Sequence, residues 1–289
     1  MKILVIGNGF IATPIIQRLE SEGHDLLTYS RTPKKGIQSR QIAGNIFDFE
    51  DFVKTLSWGP QIIIHTAWVT AHGNYTTDQV NYKYAEFTSE LARYIASTGV
   101  KHLVVLGSGS EYGTQSTTST AGVTKLNPEN LYAQQKVIAF NSAKALLSKS
   151  KVRLSWARIF QPYGPGQDKK RLLPYMINAL KNGEPIQLND TSTVLDWITT
   201  RDIASAISWI INNDTPTEID IGTTFGFTNV ELLRHLEGLL GKTAPWTRFA
   251  GQGSSNGQVS LVGKNSPLFE SGWLPRDGLD SGLQWVLGL

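Results

Sequence analysis

The stretch Ile3-Leu4-Val5-Ile6, followed without a break by Gly7-Asn8-Gly9-Phe10-Ile11-Ala12, constrains this chain more than any other. Four consecutive branched apolar residues suit a strand buried on both faces, as strands of a parallel sheet are. A helical pattern then runs through Ile15, Ile16 and Leu19 to a stop at Gly23. Strand, glycine turn and helix bring backbone N–H groups and a helix N-terminus against a pyrophosphate. The spacing G-x-G-x-x-A puts a small residue where helix and strand must pack closely, and directly after a first strand it reads as a dinucleotide-binding turn.

Leu26-Leu27-Thr28-Tyr29 reads as the second strand, ending at Ser30-Arg31, about twenty residues beyond the glycines. An acidic side chain at that point would hold the ribose 2′-hydroxyl of NAD, whereas a 2′-phosphate calls for hydroxyl and guanidinium groups. Ser30 and Arg31 stand there, with Lys34 and Lys35 just beyond, so the residues favour NADP(H) over NAD(H).

Two further buried-strand runs, Ile62-Ile63-Ile64-His65 and Leu103-Val104-Val105-Leu106, each follow a helical stretch, around 48–56 and 75–98. The longer helix carries Val80, Tyr84, Phe87, Leu91 and Ile95 on one stripe. Such alternation predicts an α/β fold with a doubly wound parallel sheet and a ligand beyond the carboxyl ends of the strands. After Arg158 the alternation loosens, and turns rich in Pro and Gly interrupt it. The expected division is a dinucleotide-binding domain over 1–160 and a smaller, mostly substrate-binding domain over 161–289, with a strand near 218–222 returning to the sheet. A helix from Leu172 to Asn182 and strands near 186–188 and 194–199 would wall the substrate side. Trp156, Trp197, Trp209, Trp246, Trp273 and Trp285 lie in or beside this half and read as core.

Composition narrows the function classes. Net charge is +3, and the basic residues are scattered apart from Lys34-Lys35 and Lys169-Lys170-Arg171, which argues against a nucleic-acid surface. The chain has no cysteine, so disulfides, thiolate zinc sites and a cysteine nucleophile are excluded, and a cytoplasmic location is expected. His24, His65, His72, His102 and His235 show no metal-ligand spacing, and no metal is expected. The apolar run after Met1 stops at Gly7, too short for a signal peptide, and no later run could span a bilayer. Glycosylation patterns at Asn74, Asn189 and Asn213 read as chance matches.

The segment 128–149 reads as a helix, with Pro128 at its entry and Tyr132, Val137, Ile138, Ala143, Leu146 and Leu147 at spacings of threes and fours. Tyr132 and Lys136 are four apart and share a face. A cation beside a phenol favours the phenolate, so the pair could give or take a proton near neutrality.

The sequence resembles the extended short-chain dehydrogenase/reductases, the NAD(P)-dependent epimerase/dehydratase group acting mostly on nucleotide-linked sugars. The likeness rests on the glycine turn with Phe10-Ile11, His65-Thr66-Ala67, Val80-Asn81, Glu111-Tyr112-Gly113, and Tyr132 with Lys136. It continues through Arg158-Ile159-Phe160, Tyr163-Gly164-Pro165-Gly166-Gln167, Asp196-Trp197-Ile198, Asp202-Ile203-Ala204 and Gly272-Trp273-Leu274-Pro275. The resemblance implies a Rossmann fold in which Ser108 hydrogen-bonds the reacting oxygen, with Ser110 as the alternative hydroxyl. It also implies Tyr132 as general acid/base and Lys136 as the residue that lowers its pKa and holds the nicotinamide ribose. Gly7, Asn8, Gly9, Phe10, Ile11, Ser30, Arg31, Asn45, Ile46, Thr66, Ala67 and Asn81 would line the cofactor, and His65 would pack or hydrogen-bond near it.

Departures from the family pattern matter as much. Gln161 stands where Asn is usual, and Leu195 where an Arg usually clamps the diphosphate; Arg171, Lys169, Lys170 or Arg201 are the candidates to replace it. The fingerprint is one residue tighter than G-x-x-G-x-x-G, and Asn45 replaces an Asp that usually contacts adenine. Gly109 and Ser110 occupy the place of the dehydratase acid pair, which argues against elimination. The expected activity is NADPH-dependent reduction of a 4-keto sugar nucleotide or similar carbonyl compound, with two alternatives: a nucleotide-sugar epimerase holding NAD tightly, and a non-catalytic NADP sensor or scaffold. Helices 75–98 and 128–149 carry apolar residues around more than one stripe, and with the resemblance this implies a homodimer. In a direct binding assay NADP should bind more tightly than NAD; tighter NAD binding removes the inference drawn from Ser30 and Arg31.

Overall fold

A computed structural model describes residues 1–188, 190–248, 260–264 and 267–289; Asn189, and with it one of the three glycosylation patterns, lies outside them. In chain order the first half gives β1 (Lys2–Ile6), α1 (Ala12–Ser21), β2 (Asp25–Ser30), β3 (Arg40–Ala43), α2 (Phe49–Lys54), β4 (Ile62–His65), α3 (Val80–Ile95), β5 (His102–Ser108), α4 (Leu131–Leu147) and β6 (Arg153–Ile159). The second half gives β7 (Gln161–Tyr163), α5 (Leu172–Asn182), β8 (Ile186–Leu188), β9 (Val194–Thr199), α6 (Thr200–Asn212), β10 (Glu218–Ile221), β11 (Gly226–Thr228), α7 (Asn229–Leu240), β12 (Trp246–Arg248), β13 (Ser260–Leu261), α8 (Pro267–Glu270) and α9 (Leu279–Leu287).

Seven of these strands form one sheet in the order β10-β6-β5-β4-β1-β2-β3, every neighbouring pair parallel. Successive side chains of a strand point to opposite faces, so a strand apolar at every position must be covered on both. In β1, Leu4 and Ile6 enter the core beneath α3 and α4, while Ile3 and Val5 enter the one beneath α1 and α6. The sheet is therefore covered on both sides, as the unbroken apolar runs demand. β3 is the outer edge, and its Arg40-Gln41-Ile42-Ala43 is polar and only partly covered, which suits an edge that must not recruit another strand.

Helix α5 has the expected bounds, Leu172–Asn182, but α2, α3 and α4 are shorter than their apolar patterns. α3 begins at Val80 rather than at 75 because residues 74–79 form turns, with the Asp78 carboxylate accepting from the Val80 N–H at 2.9 Å. α4 begins at Leu131, where Asn130 caps it by accepting from the Ala133 N–H at 3.0 Å, and Pro128 lies outside the helix. Around 48–56 the α-helix stops at Lys54 and continues as a tighter turn over Thr55–Trp58.

One residue, Phe160, separates β6 from β7, which pairs with β9; β9 also joins β11 and β13, and β8 pairs with β12. These small sheets, with α5, α7 and α9, enclose a third core around Met176, Trp197, Leu232, Leu236 and Leu283. They grow out of the carboxyl end of the main sheet, where a ligand would sit. β10 pairs in parallel with β6, from Glu218 beside Trp156 to Ile221 beside Ile159. Trp156, Trp197 and Trp273 are buried, but Trp246 on β12 is 41% exposed and so is not core. Among the described residues no helix is long and apolar enough to cross a membrane.

A buried polar network ties the carboxyl end of β5 to β6 and β10. Arg158, without solvent contact, donates to Glu111 (2.7 Å) and to Glu218 (3.0 Å). Trp156 Nε1 donates to Glu111 at 3.0 Å, and the Tyr112 hydroxyl donates to Asp220 at 2.7 Å. Gly107 permits this, because a Cβ there would lie 2.4 Å from Trp156 Nε1. Breaking such a pair leaves a buried charge uncompensated, which costs about 3–5 kcal/mol. Arg158→Ala should therefore lower the urea midpoint by that equivalent; a midpoint within ~0.5 kcal/mol of the parent contradicts this reading.

Candidate active site

The glycine turn closes on the end of β4. Gly7 has φ +103°, and a Cβ there would lie 2.5 Å from Thr66 Oγ1 and 3.1 Å from the Ala67 nitrogen. Thr66 fixes the contact by donating its hydroxyl to the Ile6 carbonyl at 2.7 Å. Only glycine fits both the close approach and the backbone angle. At Gly9 a Cβ would meet no atom within 4 Å, so the space in front of the turn is open. The N-cap of α1, Ile11, offers no side-chain acceptor to the first helical N–H groups, and the Thr13 N–H turns back to the Gly9 carbonyl at 3.0 Å; a helix N-terminus without a side-chain cap suits an anion.

The loop after β2 is laced to this turn. Asn8 Nδ2 donates to the Thr32 carbonyl at 2.7 Å, and Lys34 Nζ reaches Thr13 Oγ1 at 2.8 Å. Ser30 is buried and donates to the Thr32 carbonyl at 3.0 Å, while Arg31 is exposed. Asn45 is exposed and accepts from the Phe47 N–H at 3.1 Å; Ile46 is buried beside it. Phe10, Ile11 and Ala67 are half-buried.

At the end of β5, Ser108 caps the turn Gly109–Tyr112: its Oγ accepts from the Ser110 N–H at 3.2 Å, and its own N–H donates to Glu111 at 2.8 Å. Since Glu111 is held by Arg158 and Trp156, the serine is fixed from below. The Ser108 side chain lies beside the Tyr132 phenol and favours its ionised form. Tyr132 is buried, and its own N–H donates to the Thr76 carbonyl at 3.2 Å. Lys136, one turn along α4, is 3% exposed; its Nζ donates to the Leu106 carbonyl at 2.5 Å and sits 5.8 Å from the Tyr132 ring centre.

Burial dominates the protonation of both groups. It raises the Tyr132 phenol above its ordinary value, against the lowering effect of Ser108. It draws Lys136 down to about 7, with Glu111 pulling the other way. In the free protein Tyr132 is thus a neutral phenol, whereas the Tyr-Lys spacing alone points to an acidified one; desolvation decides the form.

On the substrate side, Ser110 is half-buried in the turn after β5, and Gln161 is half-buried at the start of β7. Arg171, at the N-cap of α5, donates to the Thr70 carbonyl at 2.8 Å and packs 5.1 Å from the centre of the Tyr75 ring, which meets Tyr132 edge-on at 5.1 Å. Lys169 and Lys170 are exposed. Arg201 is committed elsewhere, to Asp277 and to the face of Trp285. Asn81 is fully buried, accepting from Trp68 Nε1 at 2.7 Å and donating to the Tyr75 and Asp78 carbonyls. His65 faces Thr88 Oγ1 at 3.1 Å, and burial lowers its pKa to about 3, so it is neutral packing.

Sequence reasoning assigned no role to Glu111, Trp68 or Tyr75. Glu111 was legible in principle, since Ser108-x-x-Glu111 is a capping-box spacing. Trp68 and Tyr75 lie in the irregular stretch after β4, where no periodicity marks them.

A Rossmann-type sheet bearing serine, tyrosine and lysine at its carboxyl edge defines the extended short-chain dehydrogenase/reductase class. The chain belongs to the NAD dependent epimerase/dehydratase family, whose model matches residues 3–222. It is 22% identical to the UDP-glucose 4-epimerase of Bacillus subtilis (strain 168), covering 97% of this chain and 94% of that protein. It is also 22% identical to the dTDP-D-glucose 4,6-dehydratase of Mus musculus, covering 98% and 88%. Among solved structures, the Thermus thermophilus UDP-glucose 4-epimerase in complex with NAD superposes with a TM-score of 0.86 at 20% identity, covering 100% of this chain and 98% of that one. The UDP-N-acetylglucosamine 4-epimerase of Methanobrevibacter ruminantium M1, in complex with UDP-N-acetylmuramic acid, also reaches 0.86 at 17% identity, covering 99% and 98%.

Proposed function

We infer that the protein is an oxidoreductase acting on a nucleotide-linked sugar, most specifically in NADPH-dependent reduction of a 4-keto group. The observation that carries the reading is the convergence of Ser108, Tyr132 and Lys136 at the strand ends beside an open glycine turn. The turn fits a dinucleotide: space lies in front of Gly9, the α1 N-terminus lacks a side-chain cap, and Thr66 and Ala67 shape the opposite wall. When bound, a nicotinamide supplies reversible hydride exchange with the sugar carbon.

The chain's own residues handle the proton. A neutral, buried Tyr132 is the form required to donate a proton to a carbonyl oxygen, and the Ser108 hydroxyl orients that oxygen and stabilises the phenolate left behind. Lys136 as a cation opposes the charge that develops on the phenol. Arg171 faces the same cleft from α5 and, in place of the clamp lost at Leu195, would take an anionic group of the substrate. Asn8, Ser30, Arg31 and Lys34, with no acidic side chain at the tip of β2, favour NADP(H).

A second reading, 4-epimerization with tightly held NAD, is supported by the UDP-glucose 4-epimerase that matches the chain nearly end to end. Residues 161–289, apart from β10, would form the substrate side in either case. Tyr132→Phe should abolish turnover of sugar nucleotides while leaving cofactor binding intact, and near-normal turnover rules out the proton role. Cofactor released by dialysis, with NADPH consumed against a keto sugar nucleotide, supports reduction. Nicotinamide absorbance that survives dialysis, with no net NADPH consumption, supports epimerization.

The packed pair α3 and α4 leaves Tyr82, Tyr94 and Ile138 outward, each more than two-fifths exposed, which supports a homodimer through these helices. Light scattering at micromolar concentration should give twice the 31.8 kDa chain mass; the mass of a single chain contradicts it.

A further inference from the structure

We propose that Trp68 is a positioning residue for Lys136: its indole face is the seat of the buried ammonium and keeps that ammonium charged beneath the Ser108–Tyr132 pair. The Lys136 ammonium is held by a carbonyl and a ring face. It donates to the Leu106 carbonyl at 2.5 Å and lies 3.9 Å from the centre of the Trp68 ring. An ammonium stripped of water favours its neutral form unless something replaces the lost hydration. A carbonyl oxygen supplies part of that, and the face of an indole, the strongest of the aromatic cation partners, supplies the rest.

Trp68 is built to stay where it is. Its Nε1 donates to Asn81 Oδ1 at 2.7 Å, and Asn81 is pinned by donating to the Tyr75 (2.7 Å) and Asp78 (2.8 Å) carbonyls. The indole stacks on Tyr84 with ring centres 5.4 Å apart and meets the Tyr132 ring edge-on at 6.3 Å. Asn81 therefore acts on the site through Trp68, and a single indole contacts both the phenol and the ammonium.

The groups facing Lys136 from the packed elements leave this contact decisive. Glu111, from the turn after β5, favours the charged lysine but is itself committed to Arg158 and Trp156. His65, at the end of β4, is neutral, and Tyr132, on α4 itself, is a neutral phenol. A cation–π contact stabilises the ammonium and not the amine, so it holds the lysine pKa above the value burial alone would give. Removing the ring must lower it.

The proposal rests on the reading of Lys136 as a working cation, and the test separates the two. The Lys136 side chain is titrated by NMR in the full-length protein labelled with 13C at lysine Cε, its signal assigned by loss in Lys136→Met. Trp68→Leu should lower the Lys136 pKa by about one unit, and Trp68→Phe, which keeps a weaker face, by less. An unchanged or raised value in Trp68→Leu overturns the proposal. Where Trp68→Leu does not fold, a folded Trp68→Phe with the parent pKa or a higher one overturns it equally. The pH profile of turnover is the second readout: loss of activity on the alkaline side should move to lower pH in the same order. A shifted lysine with an unmoved profile supports the indole seat and refutes the role given to Lys136.

Discussion

Arg158 carries its charge into a place without water contact, and the fold tolerates it because Glu111 and Glu218 meet it there and the rings of Tyr112 and Phe140 cover its faces. The arrangement matters less for net stability than for position, since a buried ion pair roughly offsets its own desolvation. Glu111 takes the Arg158 guanidinium with one oxygen and the backbone N–H of Ser108 with the other. The ion pair thereby fixes the turn at the end of β5, and the turn fixes the serine. Because Trp156 and Arg158 are on β6 and Glu218 is on β10, the same contact joins three adjacent strands at the edge where the site lies.

From that edge, one physical effect reaches both groups proposed to handle the proton. Desolvation raises the pKa of Tyr132 and lowers that of Lys136, so it pushes both toward neutrality. The free protein stores a phenol ready to donate, and a lysine whose charge depends on what touches it. A bound dinucleotide with a cationic ring would add a field at Tyr132 that favours the phenolate. The tyrosine's acidity then belongs to the loaded site rather than to the sequence spacing.

Much of this was legible in the residues. Ile3-Leu4-Val5-Ile6 dictated a strand covered on both faces, and Gly7 dictated the close turn against Thr66. Tyr132 and Lys136 share a helical face by spacing alone. What escaped has physical reasons. β3 is short, polar and at the edge, so it lacks a pattern to read. The start of α3 is set by a side-chain turn at Asp78, which overrides the apolar stripe. Trp68 and Tyr75 reach the site from irregular backbone, where sequence distance says nothing about spatial proximity. Arg201, a candidate clamp by charge, is neutralised by Asp277, a partner 76 residues away that no local pattern reveals.

Ser108, Tyr132 and Lys136 are proposed to form one proton-handling unit facing a bound dinucleotide. The most direct test is a 13Cζ-tyrosine NMR titration of Tyr132, assigned by Tyr132→Phe, with and without NADP. The phenol should stay protonated well past about pH 10 in the free protein, and its pKa should fall by about two units or more in the complex. A Tyr132 signal that titrates identically in both states contradicts it, because the phenol would then lie outside the reach of the cofactor.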